Sequence, residues 1–206
     1  KIKMIMRKLV LTTFILAACF VAQGQKGFEL SINSKLGYYF PANTERHPSE
    51  LFVGNAFSPA AGISLGYNFF KSTGVSLGLE YAHLSPDKKE LFSGENLDVK
   101  WQSVNIPLNV RQGIWRNLYL TAGVTLVRQI KGYYDGVSAF SQQKIPEYNW
   151  QAGMGWKIQN LSISMQFSRG FSSVDKRIKV SENSSSGVTV RHREIFLKLE
   201  YPLWKF

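Results

Sequence analysis

The segment between Glu147 and Phe171 constrains the fold most, because it repeats a side-chain period of two residues on either side of a short break at Gln159 and Asn160. Side chains two residues apart share one face of a β-strand. Apolar side chains fill every second position: Tyr148, Trp150, Ala152, Met154, Trp156 and Ile158, then Leu161, Ile163, Met165, Phe167 and Phe171. The pattern predicts a β-hairpin with one bulky apolar face and one small polar face.

The character of these two faces decides where the hairpin can lie. The apolar face must leave water, and the Ser, Gly, Asn and Gln of the other face are too small and polar to form a core. A barrel wall with lipid outside and a polar lumen satisfies both faces. A soluble, lipocalin-like barrel would turn the apolar face inward. Its large aromatic side chains would then crowd a lumen of eight strands: Trp150, Trp156, Phe167, Phe69 and Phe40.

The same alternation recurs along the chain and predicts eight strands, at residues 27–40, 57–69, 75–85, 97–111, 118–130, 147–158, 161–171 and 188–201. Their connections alternate long and short, with long loops at 41–56, 87–96, 132–146 and 172–187. With the N-terminus on the periplasmic side, every long loop falls on the extracellular side, as in outer-membrane barrels. We therefore predict an all-β fold, an eight-stranded antiparallel up-and-down transmembrane β-barrel, in one domain of this 206-residue chain.

One predicted strand, 97–111, does not keep a single period. Val99 and Trp101 share one parity, whereas Val104 and the apolar residues after it share the other. We expect a β-bulge near Gln102 and Ser103 that returns Trp101 to the outer face. Aromatic residues would then form two interfacial girdles. One girdle contains Tyr38, Phe40, Phe57, Tyr81, Trp101, Tyr148 and Phe171, and the other Phe28, Tyr67, Phe69, Trp156 and Tyr201.

The N-terminal residues read as a targeting segment. Residues 1–8 are basic, 9–21 are apolar, and 22–24 offer small residues to a signal peptidase, which predicts a signal peptide at 1–24 and a barrel domain at 25–206. Cys19, the one cysteine, also fits a lipoprotein cleavage box, and both interpretations stay open. The net charge of +11 comes without a dense basic run or basic helix, so we expect no nucleic-acid partner.

The last residues resemble a barrel-assembly signal. Trp204 and Phe206 are aromatic residues at the end of the last predicted strand, although Pro202 interrupts its alternation. This resemblance implies that the barrel-assembly machinery of Gram-negative bacteria inserts the chain.

A family resemblance rests on two neighbouring segments, Val-Asn-Ile-Pro-Leu-Asn at 104–109 and Leu-Tyr-Leu-Thr-Ala-Gly-Val at 118–124. Separated by a short turn, they resemble a hairpin of the small outer-membrane β-barrel proteins of Bacteroidota, the porin-family or PorT-like proteins. The resemblance implies an outer-membrane location. It implies no activity, because members of this group mostly have none assigned.

Nine charged side chains have lumen-facing parity: Glu29, Lys35, Glu80, Lys100, Arg111, Glu147, Lys157, Lys198 and Glu200. The interior of an eight-stranded barrel is just wide enough for its own side chains. We therefore expect a lumen plugged by ion pairs, with a narrow ion path as the alternative.

His83 and Ser85 are the one pair with catalytic character. Two residues apart at a strand end, they point the same way, and Glu80, Glu90 or Glu95 could orient the histidine. The pair is similar to that of outer-membrane lipid A deacylases, but Pro-Asp-Lys at 86–88 departs from that family. We expect no enzyme activity. The three dispersed histidines lack cysteine partners and predict neither a metal nor a cofactor.

A last cluster of basic residues gathers around the fourth long loop: Arg169, Lys176, Arg177, Lys179, Arg191 and Arg193. We expect it to contact phosphates of lipopolysaccharide in the outer leaflet. The four long loops are predicted to offer a surface to an envelope partner that the sequence does not identify.

Overall fold

The computed structural model describes residues 27–40, 42–43, 52–53, 55–70, 73–85, 87–89, 96–134, 137–139, 146–171, 174–181 and 184–205. The predicted signal peptide at 1–24, with Cys19, lies outside these residues, as does Phe206. None of the described residues belongs to a helix long and apolar enough to cross a membrane.

Eight long strands build the wall of the molecule. They are β1 (Gly27–Tyr39), β2 (Ala56–Phe70), β3 (Thr73–Leu84), β4 (Asn96–Trp115), β5 (Leu118–Tyr134), β6 (Glu147–Ile158), β7 (Leu161–Gly170) and β8 (Arg193–Lys205). Seven ladders, all antiparallel, join β1 to β2, β2 to β3, β3 to β4, β4 to β5, β5 to β6, β6 to β7 and β7 to β8. Antiparallel pairing of β1 with β8 closes the sheet, so the predicted eight-stranded up-and-down barrel is confirmed.

The closing ladder runs from the pair Glu29 and Lys205 to the pair Tyr39 and Glu194. Its register shifts once, because Leu30 faces Trp204 and Ser31 faces Pro202, which leaves Leu203 without an opposite residue. A proline beside a bulge is tolerated, since it removes a ladder donor where pairing is already interrupted. The strand therefore continues through the proline that interrupts the sequence period.

The wall has the two faces that the alternation predicts. Met154 and Met165 are directly opposite each other in the β6–β7 ladder, and each is 60% exposed. Gln166 lies next along the strand and is buried inside. The outer face carries similarly exposed aliphatic side chains on all eight strands, among them Ile32, Leu65, Leu77, Leu108, Leu120 and Leu197. A continuous apolar surface of this kind needs a nonpolar surrounding, and a bilayer supplies it.

Several wall glycines face the lumen where a neighbouring strand comes close. A Cβ on Gly62 would collide with the backbone carbonyl oxygen of Leu79 and with Glu80. A Cβ on Gly66, four residues further along the same strand, would meet nothing closer than 3.4 Å. Gly62 is thus required by close packing of β2 on β3, whereas Gly66 is not.

The irregularity predicted in β4 exists, but its effect on side-chain facing was predicted wrongly. The β4–β5 register shifts between Gln102 and Ser103, and the residue left without a partner is Ile130 of β5. Because the extra residue lies in β5, β4 keeps its own alternation. Trp101 therefore points into the lumen and is 5% exposed, so it is absent from the aromatic girdle. Lys100 takes the outer face and is exposed, which corrects its placement in the lumen network.

The long connections contain more strand than their composition indicated. Residues 172–187 were predicted as a loop leading to a last strand from 188. The structure instead has a hairpin of Val174–Ser181 with Ser184–Arg191, extended by Ala42–Asn43 into a separate three-stranded sheet. Short strands Phe52–Val53, Asp87–Lys89 and Val137–Ala139 also extend the wall. These segments lie in the connections between wall strands, whose turn residues and charge had predicted loops.

Candidate functional site

The lumen and its rims hold the candidate functional residues. We call the end with the two-residue turns Arg116–Asn117 and Gln159–Asn160 the turn end, and the opposite end the loop end. Both turns begin with a residue in the left-handed region, Arg116 at φ 46° and Gln159 at φ 51°. Such turns suit the twist of a two-residue hairpin. They bring the ends of successive strands to one level.

At the turn end, Arg111 is the central cation. Its Nη2 donates to Glu200 Oε1 at 2.9 Å, and its guanidinium lies 4.7 Å from the centre of the Tyr119 ring. Glu29, on the facing side, accepts hydrogen bonds from Ser31 Oγ at 3.2 Å and from Asn68 Nδ2 at 3.3 Å. Together these side chains fill the turn end of the lumen.

In the middle of the lumen, Lys198 joins two carboxylates. Its Nζ lies 2.8 Å from Glu80 Oε1 and 4.0 Å from Glu200 Oε2. Gln151, on the other side of the lumen, accepts from Thr125 Oγ1 at 3.0 Å and donates to Asn109 Oδ1. Glu200 also binds Arg111 at the turn end. The other side chains form a middle layer of the lumen, between the turn end and the loop end.

At the loop end, Lys35 and Glu194 form the tightest pair, with Nζ 2.6 Å from Oε2. His192 Nε2 lies 3.3 Å from the same Glu194 oxygen without hydrogen-bond geometry, and its Nδ1 lies 3.8 Å from Glu147 Oε1. The His192 ring also packs on Tyr39, with 5.2 Å between ring centres. The loop end is thus closed by side chains from β1, β6 and β8.

The structure gathers most of the predicted lumen set. Buried members are Glu29, Glu80, Glu147, Lys198 and Glu200. Partly buried members on the lumen face are Lys35, Arg111 and Lys157. Sequence reasoning missed Tyr39, His192 and Glu194, although Glu194 shares parity with Lys198 and Glu200 and was available from the same pattern.

Two small cavities lie among the described lumen side chains. A cavity of about 50 Å³ at the loop end is lined by Lys35, Tyr39, Trp101, Glu147 and Glu194, among others. Another, of about 10 Å³, lies beside Arg111 at the turn end. One water needs roughly 10–15 Å³ of such space, so these cavities hold a few waters at most. In the described part of the chain, no three His, Cys, Asp or Glu side chains converge as metal ligands would.

His83 and Ser85 lie on the outer face at the loop end of β3. Ser85 Oγ is 3.0 Å from His83 Nε2, so these two side chains, two residues apart, are hydrogen-bonded to each other. Glu80 lies on the opposite face of the strand and is bound to Lys198, so it does not orient His83. Glu90 and Glu95 lie outside the described residues.

The basic cluster is described only in part. Arg169 and Arg193 are directly opposite each other in the β7–β8 ladder, and Arg191 ends the loop hairpin. Lys176, Arg177 and Lys179 lie on the strand Val174–Ser181, but their side chains lie outside the described part of the structure. Trp204, of the predicted assembly signal, is exposed at the turn end.

Comparison with known proteins shows the fold. No protein-family model and no curated protein sequence matches the chain. Among solved structures, Neisserial surface protein A is similar over 84% of this chain and 96% of its own, with 13% identity and a TM-score of 0.59. The outer membrane protein OprG from Pseudomonas aeruginosa is similar over 89% and 98%, with 14% identity and a TM-score of 0.55. The chain thus has the fold of small outer-membrane barrels, and its lipid-facing band accords with that location.

Proposed function

We propose that this protein is an integral outer-membrane barrel with a structural or interaction role, in which the wall and the loops act and the lumen does not conduct. The observation that carries the proposal is the filling of the lumen at three levels by Lys35 with Glu194, Lys198 with Glu80, and Arg111 with Glu200. The resemblance to PorT-like proteins of Bacteroidota supports the outer-membrane location alone.

The ion pairs argue against a channel because they are buried inside the lumen. Buried pairs are costly to separate, since each partner would be left as an uncompensated charge in a poorly hydrated interior. A passing ion would have to displace them at all three levels. The cavities between them are too small for a hydrated solute, so the narrow ion path is the weaker alternative.

Conductance across a planar bilayer tests the proposal. The purified barrel should give no stable current steps in concentrated potassium chloride. The double variant Lys35→Ala with Glu194→Ala, which removes the ion pair of the loop end, should leave the barrel blocked at the two deeper levels. Lys131→Ala, on the outer face, is the matched control. Reproducible unitary currents from the unaltered protein would contradict the proposal.

The partners of the barrel follow from its surfaces. We propose that the basic cluster around the loop end contacts lipopolysaccharide, and that Trp204 with Phe206 is read by the barrel-assembly machinery. Reversing Arg191 and Arg193 to Glu should lower lipopolysaccharide retention during purification. The loops would present the surface for an envelope protein, which co-purification from native membranes would identify.

A second candidate function, a lipid-modifying hydrolase, is favoured by the 3.0 Å hydrogen bond between Ser85 and His83. The histidine would take the hydroxyl proton as the serine attacks an ester at the headgroup level. The primary proposal assigns no catalysis, because Glu80, the one described carboxylate among the candidates for orienting His83, is bound to Lys198 on the opposite face of the strand. Incubation with lipid A and analysis of released fatty acid decides between them. Release that is lost in Ser85→Ala and kept in Gln102→Ala would establish the hydrolase.

A further inference from the structure

Two arginines face each other across a ladder on the outside of the barrel. Arg169 of β7 is directly opposite Arg193 of β8. The next pair along the ladder, Ser168 and Glu194, is buried in the lumen, so the arginines share the outer face with Phe167. Like charges directly opposite in an antiparallel pair destabilise it. Such an arrangement needs an anion to offset the repulsion.

The described part of the chain supplies no such anion. Neither Arg169 nor Arg193 forms an ion pair with any described residue. Glu194, the neighbour of Arg193 in sequence, points into the lumen and is bound to Lys35. Both arginine residues are partly buried, which makes an unneutralised pair more costly than two fully exposed arginines.

Aromatic side chains enclose the arginines on the membrane surface. Trp150 is opposite Arg169 on β6, and the Phe40 backbone N–H donates to the Arg193 carbonyl at 2.9 Å on the other side. Phe167, one step closer to the middle of the wall, packs its ring 5.5 Å from Trp150 and 6.4 Å from Phe40. Aromatic residues of this kind sit at the level of lipid headgroups. The arginines therefore lie where headgroup phosphates lie.

We propose that Arg169 and Arg193 together bind the phosphate group of an outer-leaflet lipid, whose acyl chain packs over Phe167. Two guanidinium groups can each give paired N–H bonds to phosphate oxygens. A lipid is favoured over free phosphate because its acyl chain can pack on the aromatic side chains around the arginines, whereas an inorganic ion cannot use these apolar contacts. This inference deepens the proposed contact with lipopolysaccharide and rests on the proposed lipid-facing role of the loop-end basic cluster.

Lipid titration in neutral detergent micelles, followed by native mass spectrometry, tests the site. The probes are phosphatidic acid, phosphatidylcholine, whose choline offsets the phosphate charge, and inorganic phosphate. Arg169→Gln and Arg193→Gln should each weaken phosphatidic acid binding by about tenfold, the value of one charge-assisted hydrogen bond. The double variant should fall to the phosphatidylcholine level. Arg128→Gln is the matched control, since Arg128 is exposed on the outer face opposite Val104.

The outcomes separate the alternatives. Equal phosphatidic acid binding by the double variant and the unaltered protein would overturn the site, and so would an equal loss in Arg128→Gln. Inorganic phosphate that competes as strongly as the lipid would overturn the lipid assignment.

Heat-modifiable gel migration reports folding of each variant. In lipid-free micelles Arg169→Gln should be at least as thermostable as the parent, because a repulsion is removed; a clear loss there would show that the arginines serve packing instead. This experiment measures lipid binding and not conductance. Its result is therefore independent of the proposal that the lumen does not conduct.

Discussion

Replacing Lys198 by Met tests the charged interior most sharply. Lys198 and Glu80 have side chains only 7% and 5% exposed, and their charged atoms are 2.8 Å apart. Met keeps the length of the lysine stem and removes the charge, so Glu80 is left buried without its cation. Breaking a buried pair in this way costs about 3–5 kcal/mol, a change of roughly two to four orders of magnitude in the unfolding equilibrium.

The partner substitution should cost less, because the geometry is asymmetric. In Glu80→Gln, Lys198 still has Glu200 at 4.0 Å, and Glu200 keeps Arg111 at 2.9 Å. We expect a loss of about 1–3 kcal/mol, the cost of one imperfectly satisfied buried group. The double variant should be more stable than Lys198→Met alone, since it buries no lone charge.

Urea unfolding in phospholipid vesicles, followed by tryptophan fluorescence and by gel mobility, measures these differences. Lys131→Met, on the exposed outer face, is the control and should stay within about 0.5 kcal/mol of the parent. A loss below about 1 kcal/mol for Lys198→Met would refute the reasoning, because that is the range of water-exposed pairs. The lumen would then be wet enough to hydrate Glu80.

Three further predictions address the wall. Gly62→Ala should destabilise the barrel by about 1–3 kcal/mol, since its Cβ meets the backbone of β3, whereas Gly66→Ala should be tolerated; both are read from thermal gel-shift midpoints. A spin label at Met165 should be accessible to oxygen dissolved in lipid, and one at Gln166 should not. The reverse result would mean that the polar face meets lipid and the apolar face lines the interior. Trp101→Ala should lower the free energy of unfolding by about 3–5 kcal/mol, because it truncates a buried side chain. A loss under about 1 kcal/mol would indicate that Trp101 lies on the outer face.

The alternation of side chains was enough to predict the barrel, because each face of a wall strand meets a different solvent. The pairing of Met154 with Met165, with both exposed, follows directly from the period of two on either side of Gln159 and Asn160. The number of wall strands followed as well, since each reversal of direction between them is marked by a break in that period.

The details that failed depend on neighbouring strands. The period of β4 slips at Gln102 and Ser103, and the sequence alone cannot show that the extra residue belongs to β5, at Ile130. Trp101 and Lys100 were exchanged between the two faces for this reason. Apart from Glu194, the charged residues of the lumen ion pairs could be named as a set but not matched, because partners such as Lys198 and Glu80 are distant in sequence and meet only inside the closed barrel.

The joining of the first wall strand to the last has a consequence for how the chain becomes a barrel. The edge of β1 has amide and carbonyl groups that find their partners only on β8, which is made and exported last. Hairpins completed earlier therefore cannot enter the bilayer as finished units, because each would bring an unsatisfied edge into hydrocarbon. Entry into the bilayer is therefore coupled to closure, or the edge of the first strand is shielded until its counterpart arrives.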